Sequence, residues 1–207
     1  MKKINMKPNK FGGKLIVFEG VDGSGKTTLT GIAKQYLEDK NIKCYCTKMP
    51  SDRIRKIDLF QNLDYSTDIT KRNLVSLFNM TIFSTGDRLL TLDSEITPAL
   101  KRGEYVLCDR YCYTSYIRCK NNLIYKICQK FIKPDCVIIA SAKAEELKIR
   151  VKQRIAEKDL FYDDESVIEQ IKRYKSLAKK SNFKIINTQD EQSKINERLY
   201  SILNDII

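Results

Sequence analysis

Residues 15–28 read Leu15-Ile16-Val17-Phe18-Glu19-Gly20-Val21-Asp22-Gly23-Ser24-Gly25-Lys26-Thr27-Thr28. The four apolar residues at the start give the signal of a buried strand, and Lys26 to Glu38 carries a helical pattern. Between them stands GxxxxGK[ST], a phosphate loop in the strand-loop-helix context that the motif requires. Gly20, Gly23 and Gly25 let the backbone turn its N–H groups inward, and the N-terminus of the next helix adds positive dipole to hold phosphate oxygens. Lys26 is expected to reach the β- and γ-phosphates of a nucleotide, and the Thr27 hydroxyl to coordinate Mg²⁺. A GTPase switch, an ATPase motor and a small-molecule kinase are all compatible with this loop.

Outward from the loop, short apolar runs alternate with helical stretches. Cys44–Lys48 is followed by helical segments from Thr70 to Lys101, and Tyr105–Cys108 by Thr114–Phe131. Cys136–Ala140 precedes Lys143–Ala156 and Val167–Lys180, and Lys184–Ile186 precedes a last helix, Lys194–Ile206. Strands separated in this way predict βαβ units. The expected fold is therefore α/β, a three-layer P-loop NTPase architecture with a parallel sheet of about five strands flanked by helices. Ligands in such sheets bind beyond the carboxyl ends of the strands. No repeat or Gly/Ser linker interrupts the chain, so residues 14–207 are read as one domain.

The chain has 207 residues, with 38 Lys+Arg against 26 Asp+Glu, a net charge of +12. Lys2, Lys3, Lys7, Lys10 and Lys14 supply 5 of those 12 charges, and residues 1–13 are expected to form a flexible basic tail. No basic stripe with interleaved aromatics follows, so nucleic acid is not the expected partner; anionic nucleotides account for the field equally well. With no His in the chain, catalytic triads, Cys-His dyads and HExxH zinc sites are excluded. The seven Cys contain no CxxC pair and read as small buried hydrophobes in a reducing compartment. The basic start has no apolar run behind it, and no stretch approaches the roughly 18 apolar residues of a membrane span, so the expected location is cytoplasmic.

A second signal is Tyr105-Val106-Leu107-Cys108-Asp109-Arg110-Tyr111, an apolar strand ending in an acid and an Arg. An Asp at a strand end beside the phosphate loop is placed to hold Mg²⁺ or its water. Arg110 is suited to grip an acceptor phosphate through two N–H groups.

Taken together, these segments resemble the thymidylate kinase family. The resemblance rests on the phosphate loop, Lys48-Met49-Pro50 after the second strand, Asp87-Arg88 with Ile96-Thr97-Pro98-Ala99-Leu100, Asp109-Arg110-Tyr111, and the turn Lys133-Pro134-Asp135. Order and spacing match from about Lys14 to the C-terminus. The resemblance implies transfer of the γ-phosphoryl group of ATP·Mg²⁺ to a nucleoside monophosphate, dTMP to dTDP foremost, in a homodimer. The acceptor phosphate is itself an anionic nucleophile, so no general base is required. Catalysis would be positioning and charge neutralisation.

Carried over by position, Gly20, Asp22, Gly23, Ser24, Gly25, Lys26, Thr27 and Thr28 would bind ATP, and Thr27 and Asp109 the metal. Asp22 would face the sugar hydroxyl of the acceptor, Arg110 its phosphate, Arg88 its base and Ser115 a base edge, with Pro50, Phe83 and Arg118 completing the acceptor set. The loop residues Val21-Asp22-Gly23-Ser24 contain no basic side chain, so a lid at about 150–164 would supply it. Arg150 and Arg154, one helical turn apart, are the expected clamp, with Lys158 in reserve; Lys26, Asp109 and Arg110 complete the catalytic set.

Three positions depart from the family pattern. Ser84 stands where a ring usually stacks on the base, with Phe83 one residue off, which is about 100° around a helix. Arg118 replaces the aromatic residue usual after Asp-Arg-Tyr, and the lid reads Asp159-Leu160-Phe161-Tyr162. The donor side is preserved better than the acceptor side, which leaves open a different phosphorylated acceptor. From another class, the +12 charge leaves open a nucleic-acid-associated P-loop ATPase.

Overall fold

The computed structural model of the chain describes residues 1–57, 77–155 and 164–207. Five strands form one sheet: β1 (Leu15–Glu19), β2 (Cys44–Lys48), β3 (Tyr105–Asp109), β4 (Cys136–Ser141) and β5 (Lys184–Asn187). Their order is β2-β3-β1-β4-β5 and all four pairings are parallel. The order reverses beside β1, so the segments leaving β1 and β3 diverge and open a crevice, with Asp109 in register with Phe18. Both key motifs therefore emerge at one place.

The described helices are α1 (Lys26–Glu38), α2 (Asp52–Arg55), α3 (Leu77–Thr91), α4 (Thr97–Lys101), α5 (Cys112–Arg118), α6 (Asn122–Cys128), α7 (Ala144–Ile155), α8 (Asp164–Ser181) and α9 (Gln192–Asn204). They cover both sheet faces, as a fully buried parallel sheet requires. Ile16 and Phe18 of β1 point into a core with Leu29 and Leu37 of α1 and Leu199 and Ile202 of α9. Leu15 and Val17 point the other way, towards Ile96, Leu100, Tyr111, Ile117, Ile124 and Leu177. The strict alternation on β1, with no residue of it exposed, gives the three layers. Among the described residues no helix is long and apolar enough to cross a membrane. All seven Cys are free, and Cys108, Cys112, Cys128 and Cys136 are buried.

Three expectations change. The stretch 114–131 is two helices, because Cys119 is extended and Asn121 starts a new one, its side chain accepting a hydrogen bond from Leu123 N at 2.7 Å. The stretch ending at Lys101 contains a π-helical turn, Leu92–Ile96, directly before α4; Pro98 has no N–H to give the Ser94 carbonyl, which disfavours a regular α-helical ladder there. The part of that stretch before Leu77 lies outside the described residues.

The third change concerns residues 1–13, expected from their charge to be a tail, which lie along the domain. Ile4 is buried and Met1, Met6 and Phe11 pack on the same core. Lys7 bridges Ile132, with Lys133 N donating to Lys7 O at 2.6 Å, and the Tyr125 hydroxyl donates to Lys3 O. Apolar residues face inward and keep the segment down, while the lysines carry its charge.

Candidate active site

The phosphate loop is shaped by close backbone approach. Gly20 has φ 143°, and a Cβ there would lie 2.4 Å from Ala140 O. Gly25, at φ 86°, turns the chain into α1. Lys26 lies under the loop, 6% exposed, its Nζ donating to Val21 O at 2.7 Å. Burial, reinforced by the nearby Arg110 charge, pulls the Lys26 pKa down to about 7 against the opposing pull of Asp22, Asp109 and Glu19. Burial leaves this ammonium poorly solvated, a cost that phosphates bound on the loop would offset.

The register of β1 and β3 brings Asp109 to the start of α1, where Thr27 Oγ1 donates to Asp109 Oδ2 at 2.7 Å. Asp109 Oδ1 is buried and has no hydrogen-bond partner. A hydroxyl and a carboxylate side by side, one oxygen still free, suit a hard divalent cation. Among the described residues no group of three or more His, Cys, Asp and Glu could hold a metal alone. A cation here would take its remaining ligands from phosphate oxygens and water.

Arg110 follows Asp109 in a left-handed backbone conformation, φ 70°. Such a residue needs both flanks held. Its own N–H donates to Phe18 O at 2.8 Å, and the next N–H, of Tyr111, donates to Glu19 Oε1 at 2.8 Å. The guanidinium is thereby laid over the phosphate loop, where Nη2 pairs with Asp22 and Nη1 approaches Gly20 O at 3.4 Å. Burial works against the Arg110 charge, but Asp22, Tyr174, Glu19 and Asp109 together outweigh it and raise its pKa. In turn, the Arg110 guanidinium holds the Asp22 carboxyl well below the usual carboxylate range.

Near the Arg110–Asp22 pair, Arg88 of α3 and Arg118 of α5 line one cavity with Ser84, Thr114, Ser115 and Met80. Arg88 is 2% exposed; Nη1 donates to Ser84 O at 2.9 Å and Nε has no partner. Burial lowers its pKa to about 10, so it stays charged. Ser115 Oγ accepts from Thr85 Oγ1 at 2.8 Å, which fixes α5 against α3. Phe83 is 43% exposed and lies outside this lining, which among the described residues contains no aromatic side chain. Pro50 is buried, following a cis peptide bond from Met49, and the adjacent Ser51 is anchored by N–H and Oγ to the buried Asp87 carboxylate, both at 2.6 Å.

At the other edge, Arg150 of α7 reaches the loop against Gly23 and is fully engaged. Nε donates to Glu146 Oε1 at 2.7 Å, Nη1 to Thr188 Oγ1 at 3.0 Å and Nη2 to Thr188 O at 2.9 Å. As placed it forms a wall beside the phosphate loop. Arg154 stands in the last turn of α7, but its side chain lies outside the described residues, as do Lys158 and Asp159-Leu160-Phe161-Tyr162. Ser24 Oγ is buried without a partner, and Thr28 is exposed.

The groups that hold these side chains are not apparent from the sequence. Glu19 is visible only as an acid ending an apolar strand, and Tyr174 and Asp87 carry no local signal for what they hold. The geometry can be set beside known proteins. The family described as Thymidylate kinase matches residues 18–199. The chain is 28% identical over 205 residues to a thymidylate kinase of Mycoplasmopsis pulmonis, covering 92% of this chain and 87% of that one. It is 28% identical over 200 residues to probable thymidylate kinase 1 of Saccharolobus solfataricus, covering 92% and 96%. With a probable thymidylate kinase of Pyrococcus horikoshii it shares 32% identity over 152 residues, covering 69% and 71%. A match that takes in the phosphate loop, the Asp-Arg-Tyr turn and the two-arginine cavity alike places this chain in the thymidylate kinase family.

Proposed function

We propose that the protein transfers the γ-phosphoryl group of ATP to a nucleoside monophosphate, converting dTMP to dTDP, with Mg²⁺ as the divalent cation. The observations that carry this are the Lys26 and Thr27–Asp109 groups at the phosphate loop and, close to the Arg110–Asp22 pair, a separate cavity lined by Arg88 and Arg118. A nucleotide on the loop would place its γ-phosphate at Lys26. A monophosphate with its base against Arg88 and Ser115 would offer its phosphate to Arg110, which exchanges Asp22 for it. Both reactants are then held in line, and Lys26 and Arg110 neutralise the charge that spreads over the transferring oxygens. The bound cation would neutralise further charge on the phosphates from its place at Thr27 and Asp109.

Among the described residues Arg118, and no aromatic ring, lines the cavity, which supports a second reading, a phosphorylated acceptor other than dTMP that Arg118 helps to hold. A panel of nucleoside monophosphates with ATP and Mg²⁺, read by product mass with Lys26→Ala as blank, separates the two. dTDP well ahead of other products supports the first; consumption of another monophosphate with dTMP left intact supports the second. The homodimer belongs to the same proposal. Phe83, Gly86 and Leu90 form an exposed stripe along α3 that a second copy would cover, and a monomer by sedimentation would remove that part. A cytoplasmic location completes it.

A further inference from the structure

The Asp109-Arg110-Tyr111 turn has to place one guanidinium, and the Arg110 N–H bond to Phe18 O fixes only one flank of it. The other flank is held by Glu19, fully buried at the end of β1. Its Oε1 accepts from Tyr111 N at 2.8 Å and from Thr114 N at 3.1 Å. Its Oε2 accepts from Thr114 Oγ1 at 2.7 Å and from Tyr174 Oη at 2.8 Å. Four donors therefore fill the carboxylate, and three of them belong to the Arg110 turn and the start of α5. The fourth comes from α8, some sixty residues further along the chain.

Tyr174 is buried, and its hydroxyl also lies 3.3 Å from Thr114 Oγ1. One residue earlier, Arg173 Nη1 donates to Ile117 O at 2.8 Å, so α8 grips α5 at both its ends. A buried carboxylate that loses one charge-assisted donor reorients towards those remaining or admits water, and either change loosens the bonds it makes elsewhere. We propose that Tyr174 is a positioning residue for acceptor recognition: its hydroxyl fixes the Glu19 carboxylate, which holds the backbone of Tyr111 and Thr114 and so sets Arg110 over the phosphate loop. The Tyr174 hydroxyl is taken up by Glu19 and Thr114. This inference rests on the proposed phosphoryl transfer only for its kinetic consequence; the positioning itself is a property of the free protein.

Tyr174→Phe keeps the ring and removes only the hydroxyl, so the helix packing is retained. Two measurements test the role. Amide hydrogen exchange over residues 109–115 is expected to quicken about tenfold in the variant while β4 exchanges as before. The KM for dTMP is expected to rise about tenfold, with the KM for ATP changed less than about twofold, since a displaced Arg110 weakens the acceptor phosphate and leaves the loop intact. Exchange over 109–115 equal to wild type overturns the inference whatever the acceptor proves to be. So does an equal loss of affinity for ATP and dTMP, which would mark Tyr174 as a general packing residue. A wild-type protein that leaves every monophosphate untouched refutes the proposed function instead, and the exchange rates alone then decide whether Tyr174 positions the turn.

Discussion

Lys26 is a buried amine whose charged form burial disfavours, and its chemistry follows from that. Its pKa near 7 in the folded protein lies below the ordinary value of 10.5, so between those two pH values the unfolded chain binds the extra proton. Stability from this group therefore rises with pH across that window, and the full cost of the buried charge is felt below about pH 7. Lys26→Met is expected to be more stable than wild type by about 2 kcal/mol at pH 6, with the difference shrinking towards pH 10; denaturant titrations at the two pH values test it. Phosphates restore the charge, so ATP binding at pH 8 is expected to take up a proton. Calorimetry in buffers of differing ionisation enthalpy reads that directly.

In the proposed transfer, Arg110 serves the other reactant. Its partner Asp22 is largely solvent-exposed while Arg110 itself is not, so their pairing contributes little to stability and mainly aims the guanidinium. Arg110→Ala is expected to lower kcat/KM for the monophosphate by about two orders of magnitude while leaving ATP affinity near wild type. Equal acceptor kinetics in that variant would return the residue to a structural role.

Among the elements, α3 carries Arg88 and is tied to the end of β2 by Asp87, which takes two short hydrogen bonds from Ser51. Asp87→Ala leaves the Ser51 amide buried and unpaired, so a loss of about 2–3 kcal/mol is expected by urea unfolding, with the monophosphate KM raised in step. The strands and α1 were legible in the sequence because each is a compact run whose period and flanking residues agree. Helix ends were less so: the break between α5 and α6 depends on one capping side chain, and the π-turn before α4 on a single Pro. The candidate reactant-binding residues were legible as motif positions, since phosphate chemistry dictates their type. Glu19, Tyr174, Thr85 and Asp87 were not, because their roles come from partners distant in sequence. Phe83 shows the same limit from the other side, since its turn on α3 faces it away from the cavity that Arg88 enters.

For the whole molecule, the sheet order sets where the reactants can meet: reversal beside β1 makes the β1 and β3 loops neighbours, and helices on both faces leave that crevice as their meeting point. Residues 1–13 belong to this architecture. Their lysines dominate the sequence of the segment, whereas Met1, Ile4, Met6 and Phe11 determine where it sits. Ile4→Ala is expected to cost about 2 kcal/mol, a value a loose tail would not give; thermal unfolding of the full chain distinguishes the two.

If one crevice joins a triphosphate loop to a monophosphate site, phosphoryl groups pass between them without being lost to water. Following ATP, Mg²⁺ and dTMP with the protein by ³¹P NMR observes that passage itself. ADP and dTDP are expected to rise together in equal amounts, with no inorganic phosphate and no reaction for Lys26→Ala. ADP and inorganic phosphate appearing while dTMP persists would refute phosphoryl transfer between the two sites.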